Sequence, residues 1–329
     1  MYIMQLFTIV ASMCLATVAT AFNVTEHHWS GFQKFITRFD KSYSTLKEFE
    51  NRFEVFKSNM EYIHEHNSQE HSYKLGVTPF ADLTEDEFAR FNGIRTEGPF
   101  NTGCDKFTST SSDIPSSYDW RDHKAVNPVK NQGQCGSCWS FSATGAMEGA
   151  WAIAKGSLVS LSEQQLVDCS KSYGNHGCNG GLMDGAFQYA KDNGMCLETA
   201  YPYTAIGGDC QKCEPVVTIS GCVDVTKNNQ LALKEAVSRG PVSIAIEADK
   251  KAFQLYTSGV LTGDACGTNL DHGVLIVGYG EESGTEYWLV KNSWGPTWGD
   301  NGYIKIERSD STNDKGVCGI AMQPSFPVV

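Results

Sequence analysis

The residues best placed to do chemistry lie in the run KNQGQCGSCWSFS at residues 130–142. It leads into Ala143, Ala146, Met147, Ala150, Trp151 and Ala154 and stops at Gly156, the spacing of a helix with an apolar face ended by a glycine. Ser137 is placed to cap this helix, so Cys138 falls in its first turn. A thiol there faces the positive end of the helix dipole, which lowers its pKa and makes the thiolate a nucleophile. Acyl transfer also needs a group that protonates the leaving amine and a stabiliser for the oxyanion.

Two further segments offer partners for Cys138. Asn269-Leu270-Asp271-His272-Gly273 runs into the apolar strand-like VLIVGYG, which sets His272 at a strand entrance. In YWLVKNSWG, Asn292 ends a second strand-like run and Trp294 follows two residues later. An Asn oxygen can accept an imidazole N–H and fix its tautomer, while an indole over that bond excludes water. Other readings use the same residues. Cys135 and Cys138 form a C-x-x-C pair at a helix start, as in disulfide oxidoreductases, and Cys210 with Cys213 forms a second pair that a zinc site could use. The redox reading leaves His272 and Asn292 without a role, and zinc would occupy the thiol that the chemistry needs. No metal and no cofactor is expected.

These elements sit in a chain of 329 residues, enough for two lobes or domains. Apolar residues make up 41% and the net charge is −12, a globular composition that argues against a general affinity for nucleic acid or anionic lipid. Residues 1–25 carry no charged side chain, and an apolar run ends in Ala19-Thr20-Ala21, a pattern that a signal peptidase accepts. Cleavage after Ala21 is expected, with no membrane-spanning segment elsewhere. Asn23-Val24-Thr25 is a glycosylation acceptor that fits a secreted route. Twelve cysteines on such a route read as a disulfide framework, and Cys14 would leave with the signal.

From Glu48 the chain reads EFENRFEVFKSNMEYIHEHN, in which Glu48, Arg52, Phe56, Asn59, Ile63 and Asn67 recur at helical spacing on one face. Polar groups within such a stripe need partners. The stripe is similar to the E-R-F-N-I-N pattern of the inhibitory prodomain of cathepsin L-like proteases. Gly76-Val77-Thr78-Pro79-Phe80-Ala81-Asp82 resembles the G-x-N-x-F-x-D segment of the same prodomains, with Thr78 where that family has Asn. Residues 96–113 read as an exposed linker that a protease could cut, with the mature N-terminus near Asp113. His27, His28, His64, His66 and His71 all lie in this leader, where they are either plain solvated surface residues or groups whose protonation in acid weakens its docking.

Together these segments resemble the papain-like cysteine proteases, cathepsin L-like subgroup, from the leader through Gln323. The resemblance implies an α+β fold of two lobes, one helical and one β-barrel-like, after a helical prodomain. The implied division is 1–21 signal peptide, 22–112 inhibitory prodomain and linker, and 113–329 cysteine peptidase domain. It makes Cys138 the nucleophile, His272 the acid–base, Asn292 the orienting residue and Gln132 the side-chain donor to the oxyanion, with the Cys138 backbone N–H as second donor. Cys138 and His272 are expected to rest as thiolate and imidazolium. Gly180 and Gly181 would pair with the substrate backbone, while Leu182, Met183, Ala245, Leu270 and Gln323 would line the pocket for the residue two before the cut. That lining implies a preference for Leu, Val or Phe. Trp294 would shield the cleft and Trp298 is similar to the family's second cleft indole.

The resemblance also pairs Cys135 with Cys178, Cys169 with Cys210, and Cys266 with Cys318. Of the remainder, Cys213 and Cys222 could close a short loop and leave Cys196 free. The implied partners are peptide substrates, the chain's own prodomain and cystatin-type inhibitors, for a monomer in a lysosome-like compartment or outside the cell. A catalytically inactive binding or storage protein of the same fold is the alternative, and the intact Cys138, His272, Asn292 and Gln132 argue against it.

Overall fold

A computed structural model describes residues 28–95, 103–109, 113–263 and 265–329. The expected signal peptide, Asn23 and His27 lie outside them.

The leader is built on two helices, α1 over residues 28–38 and α2 over Leu46–Asn67. Thr45 starts α2 by accepting the Glu48 N–H on its side chain, while the Glu48 carboxylate accepts from Ser44 N at 2.8 Å. Phe56, Asn59, Ile63 and His66 are its buried face. Phe56 packs on Phe32 and Phe35 of α1 with ring centres 5.3 and 5.1 Å apart. The polar members of the stripe find the partners that burial demands. Arg52 pairs with Glu87 at 2.6 Å, Asn59 donates to the carbonyls of Ala81 and Leu83, and Asn67 brackets the backbone of Leu75. The polar stripe therefore holds residues 75–87 against α2.

Strand β1 (Tyr73–Leu75) leaves the leader and enters the sheet of the following domain. A helical turn, α3 (Glu85–Phe88), carries a capping box from Thr84 and Glu87. Beyond it lie two short strands, β2 (Asp105–Lys106) and β3 (Tyr118–Asp119). Thus residues 103–109 are not open linker throughout: β2 pairs in parallel with β4 (Gly221–Asp224).

The helical lobe consists of α4 (Cys138–Lys155), α5 (Glu163–Cys169) and α6 (Met183–Asn193) around Trp139, Ala143, Met147, Leu166 and Phe187. Gly156 closes α4 in the left-handed conformation (φ 70°), as the sequence pattern requires. Ser137 precedes α4 but makes no capping bond; its hydroxyl turns instead to the Tyr203 hydroxyl at 2.6 Å.

The second lobe follows with α7 (Gln230–Arg239), β5 (Val242–Ile246), α8 (Lys251–Gln254), β6 (Tyr256–Leu261), β7 (His272–Glu282), β8 (Thr285–Lys291), β9 (Tyr303–Glu307) and β10 (Ser325–Val328). The strand order is β1-β6-β9-β8-β7-β5-β10-β4-β2, with β3 also on β7. Strands β7 and β5 meet α4 across the lobe boundary: Ser142 Oγ donates to the Val274 carbonyl of β7 at 2.7 Å, and Ser243 Oγ of β5 to the Ser142 carbonyl at 3.0 Å. This contact sets the start of β7 against the start of α4.

Among the described residues five disulfides are formed. Cys135–Cys178, Cys169–Cys210 and Cys266–Cys318 are as expected. The other two correct the sequence reading: Cys196 is bound to Cys213, and Cys222 to Cys104 in the segment before the catalytic domain. Among the described residues Cys138 alone is a free thiol. Both C-x-x-C pairs thus have their other cysteines in disulfides, which leaves no dithiol for redox exchange and no thiolate set for zinc.

Candidate active site

The first turn of α4 presents Cys138, and the first residue of β7 presents His272; both side chains are fully buried. The Gly273 N–H donates to the Cys138 sulfur at 3.3 Å, so the two elements meet at the thiol itself. A Cβ on Gly273 would lie 3.1 Å from the Trp139 Cα, which explains the glycine beside the histidine. Asn292, just past β8, accepts from His272 Nε2 at 2.8 Å, and the Ser293 N–H holds the same oxygen at 2.7 Å. The Trp294 indole stacks on the imidazole with centres 4.5 Å apart. His272 Nδ1 is buried with no hydrogen-bond partner, so it is the nitrogen left for proton exchange.

Gln132 reaches the same centre from the strand-like segment before α4. Its backbone N–H donates to the Ser293 carbonyl at 2.8 Å, and the Ser293 hydroxyl donates to its side-chain oxygen at 2.6 Å. Its amide is therefore turned so that Nε2 donates inward, at 2.7 Å to the carbonyl of Phe91 in the leader. Tyr203 ties the two donor segments together, donating to the Gln132 carbonyl at 2.7 Å beside Ser137.

The leader fills the cleft. Phe80 and Phe88 cover Trp294 edge-on at 5.4 and 5.0 Å. From there residues 91–95 run along the cleft: the Gly93 carbonyl accepts from Gly181 N at 2.9 Å, and Arg95 N donates to the Gly181 carbonyl. Ile94 and Gly181 form a parallel bridge. The approach is close enough to demand glycine, since a Cβ on Gly93 would lie 2.0 Å from the Gly136 oxygen and one on Gly180 2.8 Å from the Gly93 oxygen.

Burial acts against charge on both groups. It pushes the Cys138 thiol up to about 12 against the N–H bonds from Gly273, Gly93 and Trp139. It pushes the His272 imidazole down to about 4 against the Asn292 bond. Both shifts disfavour charge on the two groups while the cleft is covered.

Of the expected pocket residues, Met183, Ala245 and Leu270 share one buried cluster with Trp139. Leu182 and Gln323 line a cavity of about 80 Å³ that reaches Asp184 and Ser325. Trp298 is fully buried, donating to the Gln254 carbonyl, with its ring edge-on to Trp294 at 5.0 Å. Gln254 escaped the sequence reading. Its amide donates to the leader carbonyls of Phe80 and Leu83 at 2.7 and 2.9 Å, and its carbonyl accepts from Thr78 Oγ1 at 2.9 Å. Thr78 thus does its own anchoring where the related prodomains carry Asn. No local signal marks Gln254, whose partners lie far away in the chain.

This arrangement defines a leader-blocked cysteine peptidase. Residues 114–328 match the papain family cysteine protease model and residues 32–88 the cathepsin propeptide inhibitor domain, so the chain belongs to the papain family of cysteine proteases. It is 49% identical over 86% of its length, and 78% of the relative's, to germination-specific cysteine protease 1 of Arabidopsis thaliana. It is 42% identical to the senescence-specific cysteine protease SAG39 of Oryza sativa subsp. japonica, over 98% of this chain and 97% of that one. Digestive procathepsin L 3 from the larval midgut of Tenebrio molitor superposes with a TM-score of 0.85 at 41% identity, covering 92% of this chain and 99% of that structure.

Proposed function

We propose that Cys138 attacks the scissile carbonyl, His272 shuttles the proton, Asn292 orients the imidazole, and Gln132 Nε2 with the Cys138 N–H holds the oxyanion. The observation that carries this is the buried Cys138 sulfur 3.3 Å from the Gly273 N–H, next to a His272 whose Nε2 is held by Asn292 at 2.8 Å and whose Nδ1 has no partner. Gln132 Nε2, which donates to the carbonyls of Phe91 and Cys135, is the side-chain donor nearest in sequence. Once the leader leaves, water reaches the pair, the thiol pKa falls toward the helix-dipole value and the imidazole regains its proton. The thiolate adds to the carbonyl, imidazolium protonates the departing amine through Nδ1, and water activated by the same nitrogen hydrolyses the thioester.

A substrate pairing with Gly181, with the side chain two before the cut against Leu182, Met183, Ala245, Leu270 and Gln323, sends its leaving amine toward Trp294. The leader runs the other way, from Trp294 to Gly181, which explains why it is held without being cut. The apolar lining supports a preference for Leu, Val or Phe in that pocket. Entry to the secretory route, maturation near Asp113, action as a monomer within chains and capture by cystatin-type inhibitors belong to the same reading. The framework of disulfides supports the route. The test is a peptidase assay on the matured enzyme and its Cys138→Ala variant, with and without a chelator. Loss on substitution and persistence in chelator are expected; activity surviving in Cys138→Ala overturns the assignment.

A further inference from the structure

Cys104 lies between the two matched segments, after residue 88 of the inhibitor domain and before residue 114 of the catalytic domain, yet its disulfide partner Cys222 lies inside the catalytic domain. The catalytic domain cannot pair its own cysteines without it, because Cys138 stays free and every other described cysteine is already bonded. The bond is set in a docked arm. Asp105 and Lys106 pair with Val223 and Asp224, Phe107 N donates to the Asp224 carbonyl at 2.8 Å, and the Phe107 ring meets Phe326 edge-on at 5.9 Å. The Ser109 hydroxyl reaches Glu235. All of these partners belong to the catalytic domain.

We propose that Cys104–Cys222 is a thiol-exchange site that keeps the leader covalently attached after the chain is cut near Asp113. Release of the leader then takes two steps, proteolysis and reduction by a low-molecular-weight thiol. This rests on the reading of the chain as a leader-inhibited peptidase matured C-terminal to Cys104. A cut alone leaves the leader tethered at the cleft it blocks, where linkage makes rebinding intramolecular and raises its hold by ~10²-fold or more over a free fragment.

The exchange balances simply. A thiolate attacks the sulfur of Cys104, the more exposed of the two, forming a mixed disulfide and expelling the Cys222 thiolate, which takes up a proton. Gln188 Nε2 lies 3.1 Å from the Cys222 sulfur and is placed to stabilise that leaving group. A second thiol resolves the mixed disulfide, so two thiols become one external disulfide while Cys104 and Cys222 become thiols. The carboxylates of Asp184 and Asp224 lie within 4.8 Å of the Cys104 sulfur and repel an anionic attacker, so a neutral phosphine is the better laboratory reductant.

The experiment is intact mass and N-terminal sequencing of the precursor matured in acid without reductant and quenched with a thiol-reactive epoxide. The expected product is one disulfide-linked species with two N-termini, which phosphine splits into leader and catalytic domain. Activity of unquenched wild type then rises ~10²-fold on phosphine, whereas the Cys104→Ser/Cys222→Ser precursor is active after the cut alone and gains less than a tenth of that. The mass result needs no variant. A Cys138→Ala precursor cut by an unrelated protease at a site built into residues 108–113 reads the tether without any peptidase activity, which separates failure of the tether from failure of the catalytic reading. A leader that separates without reductant, or a mature N-terminus before Cys104, overturns the proposal.

Discussion

Substitution of Gln254 tests whether the leader is held by contacts remote from the thiol. In Gln254→Ala the two hydrogen bonds from its amide to Phe80 and Leu83 disappear. Neither carbonyl is orphaned, since Phe80 O still accepts from Leu83 N and Leu83 O from Asn59. The cost is therefore that of two net hydrogen bonds, about 1–3 kcal/mol, and not the larger penalty of stranded buried carbonyls. The Gln254 side-chain oxygen is itself buried without a partner, and its removal offsets part of the loss. The lower half of that range applies, about 1–2 kcal/mol, which weakens the leader's hold by roughly 5–30-fold. The assay is the onset of peptidase activity in the purified precursor at fixed acid pH with phosphine present. Onset should quicken by that factor while the matured variant keeps wild-type kcat/KM. Gln254→Glu should go further at neutral pH, where a carboxylate would face two carbonyl oxygens, and recover in acid. An unchanged onset in both variants would refute the assignment of Gln254 as an anchor.

Gln132→Ala should lower kcat of the matured enzyme by about 10²–10³-fold with little change in KM, measured on a peptide substrate, because the amide acts on the developing oxyanion. His66 stacks on His71 at 3.9 Å, and burial holds its pKa below the ordinary value, with the bond to the Tyr73 carbonyl opposing and His71 and Lys74 adding to the depression. A histidine depressed in the folded leader favours that fold, which the docked leader requires, while neutral, a share that is lost as pH falls below its free value of about 6.5. His66→Gln should therefore move the pH midpoint of precursor activation downward; an unmoved midpoint would remove His66 from the acid response. Gln323→Glu should raise cleavage of substrates that carry Arg two residues before the cut relative to those with Leu there, read as a kcat/KM ratio on paired substrates.

Much of the site was legible because its elements carry local signals. The helix that begins at Cys138 announces itself by apolar spacing and Gly156, and the leader helix by a polar stripe whose members all find partners. His272 and Asn292 were placed at strand ends by the apolar runs beside them. Long-range pairings were harder. Cys104 and Cys222 are 118 residues apart and lie on opposite sides of the expected mature N-terminus, so no local spacing links them. The passage of Gly93 through the cleft leaves no mark in sequence, because the atoms that require a glycine there belong to Gly136. The thiol's pKa also depends on burial that no local pattern reveals: helix position favours a thiolate, and desolvation pushes the other way.

The central claim is that Cys138 is the nucleophile and that the leader masks it. Peptide mapping after brief exposure to a thiol-reactive epoxide tests both parts, run on the precursor and on the matured, phosphine-treated enzyme. The account predicts no label on the precursor at neutral pH, and in the matured enzyme one label on Cys138 with peptidase activity falling in proportion. Equal labelling of both forms, or full labelling of Cys138 with activity retained, would contradict it.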